Sequence, residues 1–69
     1  MEINLDDFAK LKSGSIIVCI KVDKYHSNWF TVGKEYKVVA SKVYGNYIRD
    51  DRNCKNQNVY GHSYFKLKS

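Results

Sequence analysis

Proline is absent from this chain, which also lacks Gly/Ser-rich tracts and internal repeats. Pro-rich or Gly/Ser-rich stretches would mark linkers and repeats would indicate a solenoid, so the sequence offers no internal domain boundary. A length of 69 residues has room for one hydrophobic core. We therefore expect a single small domain over residues 1–69, in which residues 1–12 form an N-terminal arm or helical turn.

Long hydrophobic runs are missing as well. The longest run, residues 16–20, falls far short of the roughly 20 residues that a membrane-spanning helix needs. The acidic start, residues 1–7, lacks the basic and then apolar layout of a signal peptide. The sequence thus predicts a cytoplasmic protein without membrane contact.

Cysteine is scarce, and its two copies, Cys19 and Cys54, are not arranged as Cys-x-x-Cys. In a cytoplasmic protein both thiols are expected to be reduced. Together with His26 and His62 they are the candidate ligands for zinc, but their spacings match no zinc finger or zinc knuckle. The sequence therefore predicts no metal site and no cofactor.

Signatures of catalysis are missing too. No local pattern places a Ser or Cys nucleophile beside a histidine, and no Gly-rich phosphate loop occurs. Asp50 and Asp51 are adjacent, and neighbouring residues of an extended strand point to opposite faces, so the pair favours a turn over an acid/base site. We expect a binding protein and not an enzyme.

Alternating apolar residues predict β-strands over most of the chain. The clearest strand spans residues 15–22. Its continuously apolar face consists of Ile16, Val18, Ile20 and Val22. The opposite face begins with Ile17 and Cys19 and ends with Lys21, so we expect a loop or the N-terminal arm to cover its first half.

The remaining elements are short. Further strands are predicted at residues 35–40, 47–50, 59–60 and 64–67, and residues 54–58 are predicted to be a loop. Near the N-terminus, Asn4 or Asp6 can cap one helical turn over residues 7–11. Short strands at roughly ten-residue spacing predict an all-β fold, namely a small five-stranded barrel with a short N-terminal helical turn.

A pattern across most of the chain resembles a known group. The pattern comprises a Gly-initiated strand ending in Val-Cys-Ile (residues 11–20), a Thr-x-Gly-Lys-x-Tyr turn (residues 31–36), an Asp-Asp turn (residues 50–51) and a terminal Phe (Phe65). In these features the chain resembles small phage-encoded proteins of SH3-like β-barrel type. The resemblance implies an SH3-like barrel in the host cytoplasm and assigns no activity, because such barrels host many functions.

Acidic residues are outnumbered, and aromatic residues are abundant. Twelve Lys and Arg stand against seven Asp and Glu, giving a net charge of +5, which attracts polyanions. Six Tyr, three Phe and one Trp are too many for the inward positions of a small barrel, so several rings should be exposed. Exposed rings can stack on bases while nearby cations contact phosphates.

The leading hypothesis is therefore a non-catalytic module that binds nucleic acid through a basic aromatic surface. The candidate phosphate contacts are Lys24, Lys34, Lys42 and Arg49, and the candidate stacking platforms are Tyr25, Trp29, Tyr44 and Tyr47. Aromatic side chains equally anchor protein interfaces. The alternative is a phage inhibitor of a host enzyme or defence factor, of the anti-restriction or anti-CRISPR type, that acts through protein contact. The chain is expected to be a monomer or a homodimer paired through an exposed strand edge.

Overall fold

A computed structural model describes residues 2–68 of the chain. Within this range it contains the strands β1 (Glu2–Ile3), β2 (Ile16–Val22), β3 (Glu35–Lys37), β4 (Val39–Ser41), β5 (Gly45–Arg49), β6 (Lys55–Asn56) and β7 (Ser63–Leu67), the helix α1 (Leu5–Ala9) and a 3₁₀ helix (Lys24–His26). None of the helices in the described range has the length and apolarity to cross a bilayer.

The strands form two antiparallel sheets, in the orders β1-β7-β2-β3 and β4-β5-β6. The prediction of an all-β fold is confirmed. The described range contains seven strands, and the two sheets are not closed on each other. Two of these strands, β1 and β6, were not predicted, and the strand predicted at residues 59–60 is irregular chain.

Three aromatic rings fill the space between the sheets. Phe30, Tyr36 and Phe65 meet edge to face, with ring centroids 5.0 to 5.7 Å apart. Edge-to-face packing places the positive edge of one ring against the negative face of the next. The fully buried aliphatic side chains around them are Ile17, Val38, Ile48 and Val59. Because these residues come from both sheets and from the loops, one core holds the whole domain together.

The inward face of β2 is the face of Ile17 and Cys19, which was predicted to be covered by a loop or by the N-terminal arm. Ile17 and Cys19 are fully buried, whereas Ile20 on the predicted apolar face is 37% exposed. Ile17 pairs with Tyr36, and Cys19 pairs with Phe65. Paired residues of antiparallel strands point to the same side. The large rings on the neighbouring strands therefore determine which face of β2 points into the core. The sequence pattern of β2 does not determine this, because it is apolar on both faces.

The predicted strand at residues 35–40 is divided at Val38. Its first part, β3, pairs with β2, and its second part, β4, pairs with β5. Val38 is fully buried, donates its N–H to the carbonyl of Ser15 at 2.8 Å and accepts the N–H of Gly14 at 2.7 Å. The chain thus passes from one sheet to the other at this residue without leaving a buried backbone group unpaired.

Helix α1 confirms the predicted helical turn but begins earlier, at Leu5. Its N-cap is Asn4, which exchanges hydrogen bonds with Asp7 in a capping box. Phe8 is buried in the core, and the side-chain amide of Asn46 donates to the carbonyl of Phe8 at 2.9 Å. Since a five-residue helix is not stable alone, these contacts hold it.

The turn between β5 and β6 is organised around Asp50, which is 4% exposed. The Asp50 carboxylate accepts the backbone N–H groups of Arg52 and Cys54 at 2.9 and 3.0 Å, the Arg52 guanidinium at 2.7 Å and the Asn56 amide at 3.0 Å. Asn53 takes a φ of 64°, in the left-handed region that asparagine adopts more readily than most residues. The predicted Asp-Asp turn is confirmed.

The stability of the domain should depend on the ionisation of Asp50. Burial by itself raises the pKa of Asp50, but the hydrogen bonds from Arg52, Asn56 and Cys54 outweigh it and lower the pKa from 3.8 to about 2. A lowered pKa gives stability that is complete above the pKa of the unfolded chain and is lost as the pH falls toward 2. The shift corresponds to about 2 kcal/mol.

Urea unfolding of wild type and Asp50→Asn at several pH values checks this. At pH 6 the variant should be less stable by about 2 kcal/mol, and the two unfolding free energies should converge near pH 2. Lys42→Gln, at an exposed turn position, should match the wild type at pH 6. A difference between wild type and Asp50→Asn that stays constant with pH would contradict the assignment.

Candidate functional site

The outer face of the β4-β5-β6 sheet gathers tyrosines and cations. Ile48 pairs with Asn56, and both are buried, so the inner face of the sheet runs through them. Arg49 pairs with Lys55 on the opposite face. Side chains alternate along a strand, so Tyr47 and Gln57 share that outer face with Arg49 and Lys55.

Four residues in or next to the strands of this sheet line a groove of about 300 Å³, which we call the tyrosine groove: Tyr44, Tyr47, Lys55 and Gln57. The Lys55 ammonium lies 4.6 Å from the centre of the Tyr44 ring and 5.2 Å from that of Tyr47. The Arg49 guanidinium carbon lies 5.9 Å from the centre of the Tyr47 ring. These distances are those of cation–π contacts, which hold both cations beside the rings.

The cations of the groove keep an unbalanced positive charge. The ion pairs found among residues 2–68 include neither Arg49 nor Lys55. Gln57 donates its amide to the carbonyls of Tyr44 and Asn46, which fixes the β4–β5 turn against β6. The groove is therefore a positively charged surface lined by two tyrosine rings, and hydrogen bonds from Gln57 fix one of its edges. Such a surface is suited to an anion that carries a flat group.

Lys24 and Tyr25 lie apart from the groove, on the 3₁₀ helix. Tyr25 is 79% exposed, and the Lys24 ammonium lies 5.2 Å from the centre of its ring. Lys24 and Tyr25 thus form a second cation–π pair, which lies outside the tyrosine groove. Lys42 is exposed in the turn between β4 and β5, two residues before Tyr44.

Trp29 is half-buried and packs against the core. Its ring lies between His26, 4.3 Å away by ring centroids, and the Arg52 guanidinium, 4.9 Å from its centre. Its carbonyl accepts the N–H of Asp51 at 2.7 Å. The structure thus uses Trp29 to join the loop after β2 to the turn after β5.

Lys34 belongs to a polar network at Asp51. The Asp51 carboxylate accepts hydrogen bonds from the Lys34 ammonium at 2.7 Å, the Thr31 hydroxyl at 2.6 Å and the Tyr36 hydroxyl at 2.9 Å. The Tyr36 hydroxyl in turn accepts the backbone N–H of Thr31 at 2.8 Å. The charge of Lys34 is therefore balanced within the fold.

Of the eight residues that the sequence singled out, the structure brings three together in or beside the groove: Tyr44, Tyr47 and Arg49. Lys55 and Gln57 were not among the predicted site residues, because residues 54–58 show no apolar alternation and were predicted to be a loop. Their placement depends on the pairing of β6 with β5. The predicted turn at Asp50 and Asp51 is the sequence feature that lies between β5 and β6, but residues 54–58 after it were predicted to be a loop.

Comparison of the chain with protein-family models, with curated proteins and with solved structures found no match. A functional proposal for the chain therefore rests on the geometry and chemistry of its own surface.

The network at Asp51 predicts a loss of stability at high pH. Burial raises the pKa of Tyr36 to about 12; the hydrogen bond from Thr31 lowers it, and the hydrogen bond to Asp51 and its charge raise it. A raised pKa gives stability that is complete below the unfolded value, about 10, and is lost as the pH rises toward 12.

Unfolding of wild type and Tyr36→Phe between pH 7 and pH 11.5 checks this. The variant leaves the Thr31 N–H without its acceptor and should lose about 1 to 3 kcal/mol at pH 7. The difference between the two proteins should shrink above pH 10, because only the wild type must keep that phenol protonated. Tyr60→Phe, at an exposed position, is the matched control and should follow the wild type. A difference that grows above pH 10 would contradict the role given to Tyr36.

Proposed function

We propose that this protein is a non-catalytic module that binds single-stranded nucleic acid through the tyrosine groove. The observation that carries the proposal is the position of Lys55, whose ammonium lies within 5.2 Å of two tyrosine ring centres on one sheet face. Arg49 extends the same face, and no carboxylate among residues 2–68 is ion-paired to either cation.

The chemistry of the groove fits a strand with unpaired bases. Tyr44, which is 58% exposed, and the half-buried Tyr47 offer ring surfaces on which bases can stack. Base–aromatic stacking contributes about 1 to 3 kcal/mol per base and tolerates any base. Arg49 and Lys55, which lie beside these rings, can contact the phosphates of the stacked nucleotides. A volume of about 300 Å³ is at the lower limit for small-molecule pockets, which favours a flat group over a whole cofactor.

Single strands fit this surface better than duplexes do. Sequence reading in the major groove requires a helix or a long β-ribbon that enters the groove. Helix α1 has five residues and the 3₁₀ helix has three, and β4 and β6 flank β5 as short strands. In a single strand the bases are open to the short sheet, as they are on the small β-barrels that bind single strands.

A titration of fluorescent oligonucleotides tests the proposal. The wild type should bind a single-stranded oligonucleotide more tightly than the matching duplex, and the affinity should fall as salt is raised. Tyr44→Ala and Tyr47→Ala should each weaken binding by about 5- to 150-fold, which corresponds to the loss of one stacked base. Lys55→Gln should reduce the slope of log affinity against log salt by about 0.7.

Matched controls separate the groove from a general effect of charge or aromatic content. Tyr60→Ala removes an exposed tyrosine that packs on Tyr64 outside the groove, and Lys12→Gln removes an exposed charge between α1 and β2. Both should keep the affinity within about twofold of wild type. Equal losses in Tyr47→Ala and Tyr60→Ala, or binding that does not respond to salt, would contradict the proposal.

Exposed apolar side chains beside the groove favour a second candidate, a protein-contact inhibitor of a host enzyme or defence factor. Val43 is 83% exposed and Leu5 is 52% exposed. Tyr44 and Leu5 line a neighbouring depression of about 250 Å³. Aromatic side chains that fill partner pockets anchor protein interfaces.

The two candidates respond differently to Val43→Ser. This variant leaves the rings and cations of the groove in place, so it should not change oligonucleotide affinity. It should abolish stoichiometric recovery of a single host protein by a tagged copy if the inhibitor candidate is correct. Recovery that is unaffected by Val43→Ser and Tyr44→Ala would exclude this surface as the protein interface.

We also propose that the fold is related to the small five-stranded SH3-like barrels and that the protein acts in the cytoplasm of a phage host. The support for the fold is the turn at residues 31–36 and the passage of one chain segment through both sheets at Val38. Segments that change sheets in this way form the corners of small orthogonal β-packings.

A further inference from the structure

Asp23, His26 and His62 meet at one end of the β2-β7 pair. One ligand-type atom from each lies within 4.8 Å of the others. Asp23 Oδ1 is 2.6 Å from His26 Nδ1, and Asp23 Oδ2 is 3.5 Å from His62 Nδ1. The two imidazole rings lie 4.4 Å apart by their centroids. Both rings therefore direct a nitrogen to the same carboxylate.

Regular structure positions all three residues. Asp23 directly follows β2 and His62 directly precedes β7, and Val22 pairs with Ser63 in the sheet. The Asp23 N–H donates to the His62 carbonyl at 3.0 Å, which continues this pairing by one residue. Asp23 also caps the 3₁₀ helix by accepting the His26 N–H at 2.9 Å. The cluster is thus held by backbone pairing at all three residues.

We propose that Asp23, His26 and His62 bind one divalent transition-metal ion of the Zn²⁺ class. Two imidazoles and one carboxylate form a donor set that Zn²⁺ prefers, with the fourth position left to solvent. The proposal is independent of the tyrosine groove, because it shares no residue with it.

The geometry requires only a small adjustment. Ligand bonds of about 2.0 to 2.2 Å at tetrahedral angles put neighbouring ligand atoms about 3.3 to 3.5 Å apart. Asp23 Oδ2 and His62 Nδ1, 3.5 Å apart, already have this separation, and the two histidines approach different oxygens of the one carboxylate. Asp23 Oδ1 and His26 Nδ1, 2.6 Å apart, are at hydrogen-bond distance, so a metal ion bound to both would separate these two atoms by under about 1 Å more.

Neither cysteine belongs to this cluster. The group of metal-ligating side chains found within residues 2–68 consists of Asp23 and the two histidines, while Cys19 is buried in β2 and Cys54 is exposed after the β5–β6 turn. In the sequence, both histidines and both cysteines are candidate zinc ligands, but their spacings match no zinc finger or zinc knuckle. His62 lies beside Asp23 because β2 pairs with β7, and this proximity does not depend on the spacing of the residues along the sequence.

Metal titration of the tag-free chain, first treated with chelator and desalted, tests the site. Calorimetry with ZnCl₂ alone should give a saturable isotherm with one ion per chain. Ni²⁺ or Cu²⁺ should quench the fluorescence of Trp29, the single tryptophan, because its ring lies 4.3 Å from that of His26. The absorption bands of bound Co²⁺ should report a coordination number of four or five.

The variants are chosen to keep the fold. His62→Gln alters a side chain that is 54% exposed, and Asp23→Asn keeps an oxygen that can cap the 3₁₀ helix while removing the charge. Each should weaken Zn²⁺ binding by about tenfold or more. Cys54→Ser is the control and should bind as wild type does.

Three results would overturn the proposal. They are the absence of saturable Zn²⁺ binding to wild type, unchanged affinity in His62→Gln and Asp23→Asn, and loss of binding in Cys54→Ser. Thermal melting without metal shows whether each variant is folded, so that a loss of affinity is assigned to the missing ligand. Oligonucleotide binding that persists in His62→Gln would leave the proposed function intact whatever the metal result.

Discussion

The contact of Tyr36 with both the core and Asp51 is the interaction on which the rest of the structure depends. The ring of Tyr36 packs edge to face on Phe30 and Phe65, and its hydroxyl donates to Asp51 at 2.9 Å. A buried tyrosine needs such a partner for its hydroxyl. Because Asp51 lies in the turn after β5, this one side chain ties the turn of the second sheet to the centre of the domain.

The turn after β5 also determines the geometry of the candidate site. Strand β6 has two residues and could not hold its register by ladder hydrogen bonds alone. The neighbouring Asp50 supplies the missing constraint, since its carboxylate binds the Cys54 N–H before β6 and the Asn56 amide within it. With that register fixed, Lys55 must lie opposite Arg49. A buried carboxylate therefore determines where an exposed ammonium lies.

The sequence was informative wherever a local rule decides the structure. The cap at Asn4 and the turn at Asp50 and Asp51 follow from side chains that bond nearby backbone groups, and both are present. The sequence did not predict the positions of residues whose placement depends on pairing with another strand. Ile17 faces inward because Tyr36 lies beside it, and Lys55 joins the site because β6 pairs with β5. Neither relation leaves a periodic signal in its own segment.

A line of contacts connects the two surfaces. Arg52 pairs with Asp50 at 2.7 Å and lies over Trp29, and Trp29 contacts the ring of His26, which belongs to the cluster of Asp23 and the two histidines. Contact alone does not transmit a change, because energetic coupling requires an element with two arrangements that both sites bias. Asp50 has the backbone groups of Arg52 and Cys54 as fixed partners, and Trp29 has that of Asp51. Ligands at the two surfaces should therefore bind with nearly additive free energies.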